Sequence, residues 1–194
     1  MKRPLLEAIL DLEWEMFVCV RSDRNAPCQS VPDNFRTIRG SLFEMWTDAM
    51  LVSYLDDLQR ALAQGRNLLT EKYARMDNLI APLNTNPLID AIVAIEDKWQ
   101  SELQRCYPAL YRRCCRGRNP SAEDGSNFSV YLRCELETYG NRTLELYHQN
   151  VKSIDDQKQN LAIEALRQLV RESGYQDLEQ AEIHLRNSMA PVNQ

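Results

Sequence analysis

The feature that most constrains this chain is a segment it carries twice. When Phe35 is set on Phe128 and both stretches run forward without a gap, Glu44 meets Glu137, Trp46 meets Tyr139, Leu51 meets Leu144 and Tyr54 meets Tyr147. The register continues to Asn67-Leu68 over Asn160-Leu161 and Glu71 over Glu164, a constant offset of 93 residues. Upstream, Leu5 to Ile9 lies over Leu88 to Ile92 and Leu12-Glu13 over Ile95-Glu96, at an offset of 83. Ten residues therefore enter the second copy between its first and second segments. A three-helix unit used twice is expected to pack about a pseudo-twofold axis, each copy covering the apolar face the other cannot bury alone. The competing account is coincidence between amphipathic helices, which share a period in any case.

The spacing of apolar residues is helical throughout. Pro4 suits a first helical turn, and Leu6, Leu10, Phe17 with Leu5, Ile9, Leu12, Met16 form a stripe that encloses Glu13. From Arg21 to Asp33 the pattern stops and reads as a loop. A long second helix is expected from Asp33 or Asn34 to Ala63, ended by Gly65, and a third capped by Asn67 or Thr70 with Glu71 in its first turn. Ala81 to Pro87 is turn-rich and joins the copies. The second copy opens at Leu88, with Glu96 placed among Ile92, Val93 and Trp99 as Glu13 is in the first. After Pro108 come Arg112, Arg113, Arg116 and Arg118, then a Pro/Ser/Gly/Asp loop through Asn127, which holds the ten-residue excess. Helices at Phe128 to about Ile154, Asn160 to Glu172 and Leu178 to Met189 complete the pattern, and the final Pro-Val-Asn-Gln should be loose.

The expectation is one all-α domain over residues 1–194, a bundle of about seven helices. It comprises two pseudo-twofold-related three-helix repeats, over about 4–82 and 87–172, and a C-terminal helix near 177–189. With 44% hydrophobic and 26% charged residues, a chain of this length buries about 70% of its unfolded surface without an external staple. No apolar run approaches the roughly 20 residues of a membrane span, and the amino terminus has acids where a signal peptide has an apolar stretch. A cytoplasmic protein without a membrane partner is expected. A net charge of -5 argues against coating nucleic acid. The six cysteines (Cys19, Cys28, Cys106, Cys114, Cys115, Cys134) have no zinc-like spacing and read as thiols, with a redox or soft-metal role for Cys114-Cys115 the weaker reading.

The segments LLEAILDLEWEMF, GRNLLTEKYARM, YLRCELETYGNRTLELY and SGYQDLEQAE, in this order, resemble a bacterial family catalogued as domain of unknown function 4125. The resemblance spans nearly the whole chain and carries no catalytic residue to transfer. Some relatives join this domain to a nucleotidyltransferase-like one, so the resemblance implies a helical partner acting beside nucleotide chemistry, with a separate polypeptide supplying the second domain.

Three groups of residues are candidates for chemistry. Glu13 and Glu96, with Glu135 on the stripe of Phe128, Leu132, Tyr139 and Leu146, would bring acids to one interior point. Such acids need cations, either arginines such as Arg39 or Arg142 or a metal. A di-iron or di-manganese site normally shows two Glu-x-x-His pairs, and this chain has one, Glu145 to His148. Arg142 and His148 also make Arg-x5-His, the spacing of the small helical ribonucleases called HEPN, with histidine as acid or base and arginine on the phosphate. One helix sets those side chains about 240° apart, so a dimer would be required. Finally, Arg112, Arg113, Arg116 and Arg118 offer guanidinium forks for phosphate or carboxylate, beside Gly117; the plainer account is a solvated helix end pairing with Glu123 and Asp124. The reading is a binding or accessory module that recognises an anionic, phosphate-bearing or nucleotide-like ligand, or a protein partner, near the arginine loop. The alternatives are a carboxylate-bridged iron or manganese oxidase or oxygenase, and a ribonuclease.

Overall fold

Apolar residues at helical spacing do become helices over most of the chain. The computed structural model describes residues 2–20, 32–118 and 127–189. The segments 21–31 and 119–126, with Cys28, Glu123 and Asp124, and the final Pro-Val-Asn-Gln lie outside the described residues. Within them the chain forms α1 (Lys2–Val18), α2 (Pro32–Phe43), α3 (Asp48–Ala63), α4 (Leu68–Met76), α5 (Leu88–Cys106), α6 (Pro108–Cys114), α7 (Phe128–Leu136), α8 (Asn141–Asp156), α9 (Leu161–Glu172) and α10 (Leu178–Met189).

The fold is all-α, with ten helices among the described residues where about seven were expected. Two of the additional helices arise because each long helix breaks. After Phe43 the chain turns and restarts behind Thr47, whose hydroxyl accepts the amide of Met50 at 3.3 Å. After Leu136 it turns again and restarts behind Gly140. Here the cap comes from another helix: Asp57 of α3 accepts the Gly140 amide at 2.9 Å and the Thr143 hydroxyl at 2.5 Å. The third is α6, begun by Pro108, which lacks an amide hydrogen at a position where none is needed. Glu182 of α10 accepts the next two amides, of Ala109 and Leu110, at 3.0 and 2.8 Å.

In the bundle α1 lies against α2, α3 and α4, while α5 lies against α6, α7, α8 and α9. Contacts of α3 with α8, α4 with α7 and α2 with α9 join the two groups. The main core gathers Ile9, Leu51, Leu58, Ile92, Leu136 and Leu144, all shielded from solvent. Trp46, Tyr54, Tyr139 and Tyr147 form an aromatic patch inside it, with ring centroids 4.8 to 6.4 Å apart. A smaller core of Leu103, Leu110, Leu166, Val170 and Leu178 seats α10 on α6 and α9.

Candidate functional site: a buried ion cluster between two cavities

Glu13 sits on the inward stripe of α1 with its side chain fully buried, and Arg39 of α2 answers it. The Arg39 guanidinium donates from Nε to Glu13 Oε2 at 2.8 Å and from a terminal nitrogen to Glu13 Oε1, while its other terminal nitrogen lies 2.8 Å from Glu135 Oε1 on α7. Lys72 of α4 donates to Glu135 Oε2 at 2.6 Å. Tyr54 and Tyr139 add hydroxyl hydrogen bonds, to Glu13 at 2.7 Å and to Glu135 at 2.9 Å. Two carboxylates and two cations thus neutralise one another inside the bundle, which is what makes their burial tolerable.

The electrostatics follow from that geometry. Burial pushes the Glu135 carboxyl up, but Arg39 and then Lys72 outweigh it and hold the group well below the usual carboxylate range. Burial works against the charge of Arg39 too, yet Glu13 and Glu135 keep it raised, and Glu135 does the same for Lys72.

A cavity of about 320 Å³ opens beside this cluster, between α1, α2, α3, α4 and α7. Its walls combine Phe17, Phe35, Leu68 and Tyr73 with Arg39, Lys72 and Tyr131. The Lys72 ammonium lies 3.7 Å from the centroid of the Tyr131 ring and the Arg116 guanidinium 3.9 Å from it, so the arginine run reaches this cavity through one aromatic ring.

A smaller cavity, about 120 Å³, lies on the other side of Arg39, Tyr131 and Glu135, which line both. Glu96 and Gln100 of α5 face it, together with Trp46, Leu132, Tyr139 and Tyr147. Glu96 accepts the Tyr147 hydroxyl at 2.5 Å and has no cationic partner among the described residues. Burial pushes its carboxyl up to about 7, the Tyr147 hydrogen bond pulls it back, and Glu135 adds to the rise. The side-chain oxygen of Gln100 is buried without a hydrogen-bond partner.

The residues singled out by sequence divide accordingly. Glu13 and Glu135 do meet, with the Arg39 guanidinium between them; Glu96 stands apart in the smaller cavity. Among the described residues no group of three His, Cys, Asp or Glu side chains is arranged to hold a metal ion. Arg142 pairs with Glu145 on the surface at 3.2 Å and does not reach the buried acids, and His148 is half-buried further along the same helix. Of the arginine run, Arg118 is held by Asp97 through Nε at 2.9 Å, Arg116 lies on Tyr131, and Arg112 and Arg113 are exposed in the last turn of α6. They form no shared cradle. Sequence reasoning missed Lys72, Gln100 and the tyrosines. The signal for two of them was present: Tyr54 and Tyr147 are matched at the 93-residue offset, Glu13 and Glu96 at the offset of 83, and Tyr54 donates to Glu13 as Tyr147 donates to Glu96.

A family model described as "Protein of unknown function (DUF4125)" matches residues 3–183, and the chain belongs to that family. No curated protein and no solved structure matches the chain.

Proposed function

We propose that the chain is a helical binding module whose ligand has an apolar or aromatic body and a carboxylate or phosphate group, seated in the larger cavity. One observation carries the reading: Arg39 and Lys72 line that cavity together with Tyr131, whose ring holds the Lys72 ammonium at 3.7 Å. The charges of Arg39 and Lys72 are already balanced by Glu13 and Glu135, so an anion is recognised through N–H donors they still hold, oriented by their ion pairs, and not by bulk attraction. The volume stands at the lower end of the roughly 300–1,000 Å³ of small-molecule pockets. Arg39 fills the place between Glu13 and Glu135 that a bridging metal would take, which favours binding over carboxylate-metal chemistry.

The two halves are read as copies. Asn67 caps α4 and donates to the Met16 carbonyl at 2.9 Å; Asn160 caps α9 and donates to the Trp99 carbonyl at 3.1 Å, each pair matched at the offsets found in the sequence. α1 lies on α3 as α5 lies on α8. A bacterial, cytoplasmic setting belongs to the same reading, supported by five described cysteines that are all free, as does a protein partner of nucleotidyltransferase type. No helix among the described residues is long and apolar enough to cross a membrane.

The test is calorimetric titration with aryl carboxylates and nucleoside monophosphates, and with the matching aryl amides and nucleosides as uncharged controls, on the native chain and on Tyr73→Leu. Tyr73 lines this cavity and is only half-buried, so its loss should weaken binding by about three- to tenfold, the worth of one aromatic contact, and the uncharged controls should bind at least about tenfold more weakly than the anions. Equal affinity in the variant, or no saturable binding of either class, would refute the reading.

A further inference from the structure

We propose that the smaller cavity is a second ligand site, which takes a small primary amine as its alkylammonium ion, with Glu96 as counter-ion and the Gln100 side-chain oxygen as second acceptor. Two acceptors on α5 face this cavity short of partners. Glu96 has one hydrogen bond, from Tyr147, and the Gln100 oxygen has none. These two residues lie four apart on α5, so their side chains project from one face of the helix. Arg39, the cation that lines this cavity, is engaged by Glu13 and Glu135 and makes no hydrogen bond to Glu96 among the described residues.

The other half of the molecule shows how such a carboxylate is otherwise satisfied. There Arg39 reaches Glu13; the residue at the same place in the second half is Leu132, and Lys72 is matched by Ala165, both of which line the smaller cavity. Gln100 stands where the first half has Phe17. The second half therefore keeps the glutamate and its tyrosine, adds an acceptor, and has no cation of its own. Around the two cavities Glu13, Glu96 and Glu135 face Arg39 and Lys72, and Arg39 is engaged by Glu13 and Glu135. Glu96 is the carboxylate left unbalanced, and an ammonium ion would balance it.

Shape restricts the class further. Trp46, Tyr139 and Tyr147 present aromatic surface of the kind that attracts cations, and Leu132, Val151 and Ala165 present aliphatic surface. At about 120 Å³ the cavity is smaller than one of about 150 Å³ that admits benzene, so it takes an amine of roughly five non-hydrogen atoms. Water bridging Glu96 and Gln100 is the competing occupant, and it predicts no amine dependence.

The experiment is calorimetric titration of the full chain at pH 8 and pH 6 with methylamine, n-butylamine and hexylamine, and with n-butanol as the uncharged control. Saturable binding is expected, tightest for n-butylamine, weaker at pH 6 where Glu96 is protonated, and absent for n-butanol. Glu96→Gln keeps the shape and should lose at least about tenfold in affinity; Gln100→Leu should lose less. Tyr73→Leu, which tests the larger cavity and does not line this one, should leave amine binding unchanged, so the two readings fail separately. Equal affinity for butanol and butylamine, unchanged binding in Glu96→Gln, or no saturation by any amine at pH 8 would overturn the proposal.

Discussion

Replacing Arg39 by Met keeps an unbranched stem of similar girth and removes the guanidinium that two buried carboxylates share. Glu13, fully buried, would keep only the Tyr54 hydroxyl, whereas Glu135 would still hold Lys72. Counting each charge-assisted hydrogen bond lost at ~1.5–3 kcal/mol overstates the effect, because the bonds are not additive. Removal of one partner from a buried ion pair, which leaves the other charge uncompensated, typically destabilises by about 3–5 kcal/mol. Lys72 shelters one of the two acids, so the lower half of that range is expected, still a large share of a total stability of roughly 5–15 kcal/mol. For a chain of this size the melting temperature should fall by roughly 6–16 °C, at about 2–4 °C per kcal/mol over ~3–4 kcal/mol. Urea unfolding followed by tryptophan fluorescence measures it directly, since Trp14 and Trp46 lie in or against the same core. The decisive arm is the double variant Arg39→Met with Glu13→Gln, which removes the stranded charge and should regain about half of the loss or more. A loss below ~1 kcal/mol in the single variant, or a double variant no more stable than the single, would refute the account of the cluster as mutual neutralisation.

Three further outcomes are expected. The Glu96 carboxyl is raised to about 7 by burial, so the folded chain holds a proton there that the unfolded chain has released; between about pH 4.5 and 7 stability should fall as pH rises, then level off. Discounted for the remaining solvent contact of Glu96, the fall is on the order of 2 kcal/mol, and Glu96→Gln should flatten it in melts recorded across that window. Glu135 has the opposite sign: its lowered carboxyl contributes stability above about pH 4.3 that drains away in acid, and a Glu135→Gln chain should show a shallower acid limb. Gly140→Ala should destabilise by about 1–3 kcal/mol in urea, because a methyl group there would come 2.4 Å from the Asp57 carboxylate that caps α8; no change would mean that Asp57 moves freely.

The helical class was legible because apolar residues keep a helical period along most of the chain. The breaks after Phe43 and Leu136 were not, and the reason is specific. Trp46 and Tyr139 stay in the core through each turn, so the apolar stripe runs on while the backbone leaves the helix. One restart uses Thr47, a recognisable cap; the other uses Asp57, 83 residues before the Gly140 it serves, which no local pattern can reveal. Arg39 and Arg142 were both named as cations for the buried acids, and only Arg39 takes that place, Arg142 pairing with Glu145 at the surface. Lys72 did not stand out, since a lysine in an amphipathic helix reads as solvent-facing until Glu135, 63 residues on, is known to lie over it. The arginine run looked like one site because its members are adjacent in sequence; Asp97 and Tyr131 separate them in space.

The borrowed cap of α8 has a consequence for how the chain can be divided. α8 begins without a side-chain cap of its own, and Asp57 from α3 stands in. Asn84 and Asn86 of the linker hold Asn141 at the same helix start. A chain severed near Leu83 would thus yield two pieces, one whose Asp57 keeps only its neighbour Arg60 and the other with a frayed helix. Neither should be a stable object alone, yet each carries what the other lacks. Mixed together they should reassemble, which would make this small bundle a natural candidate for use as a split reporter.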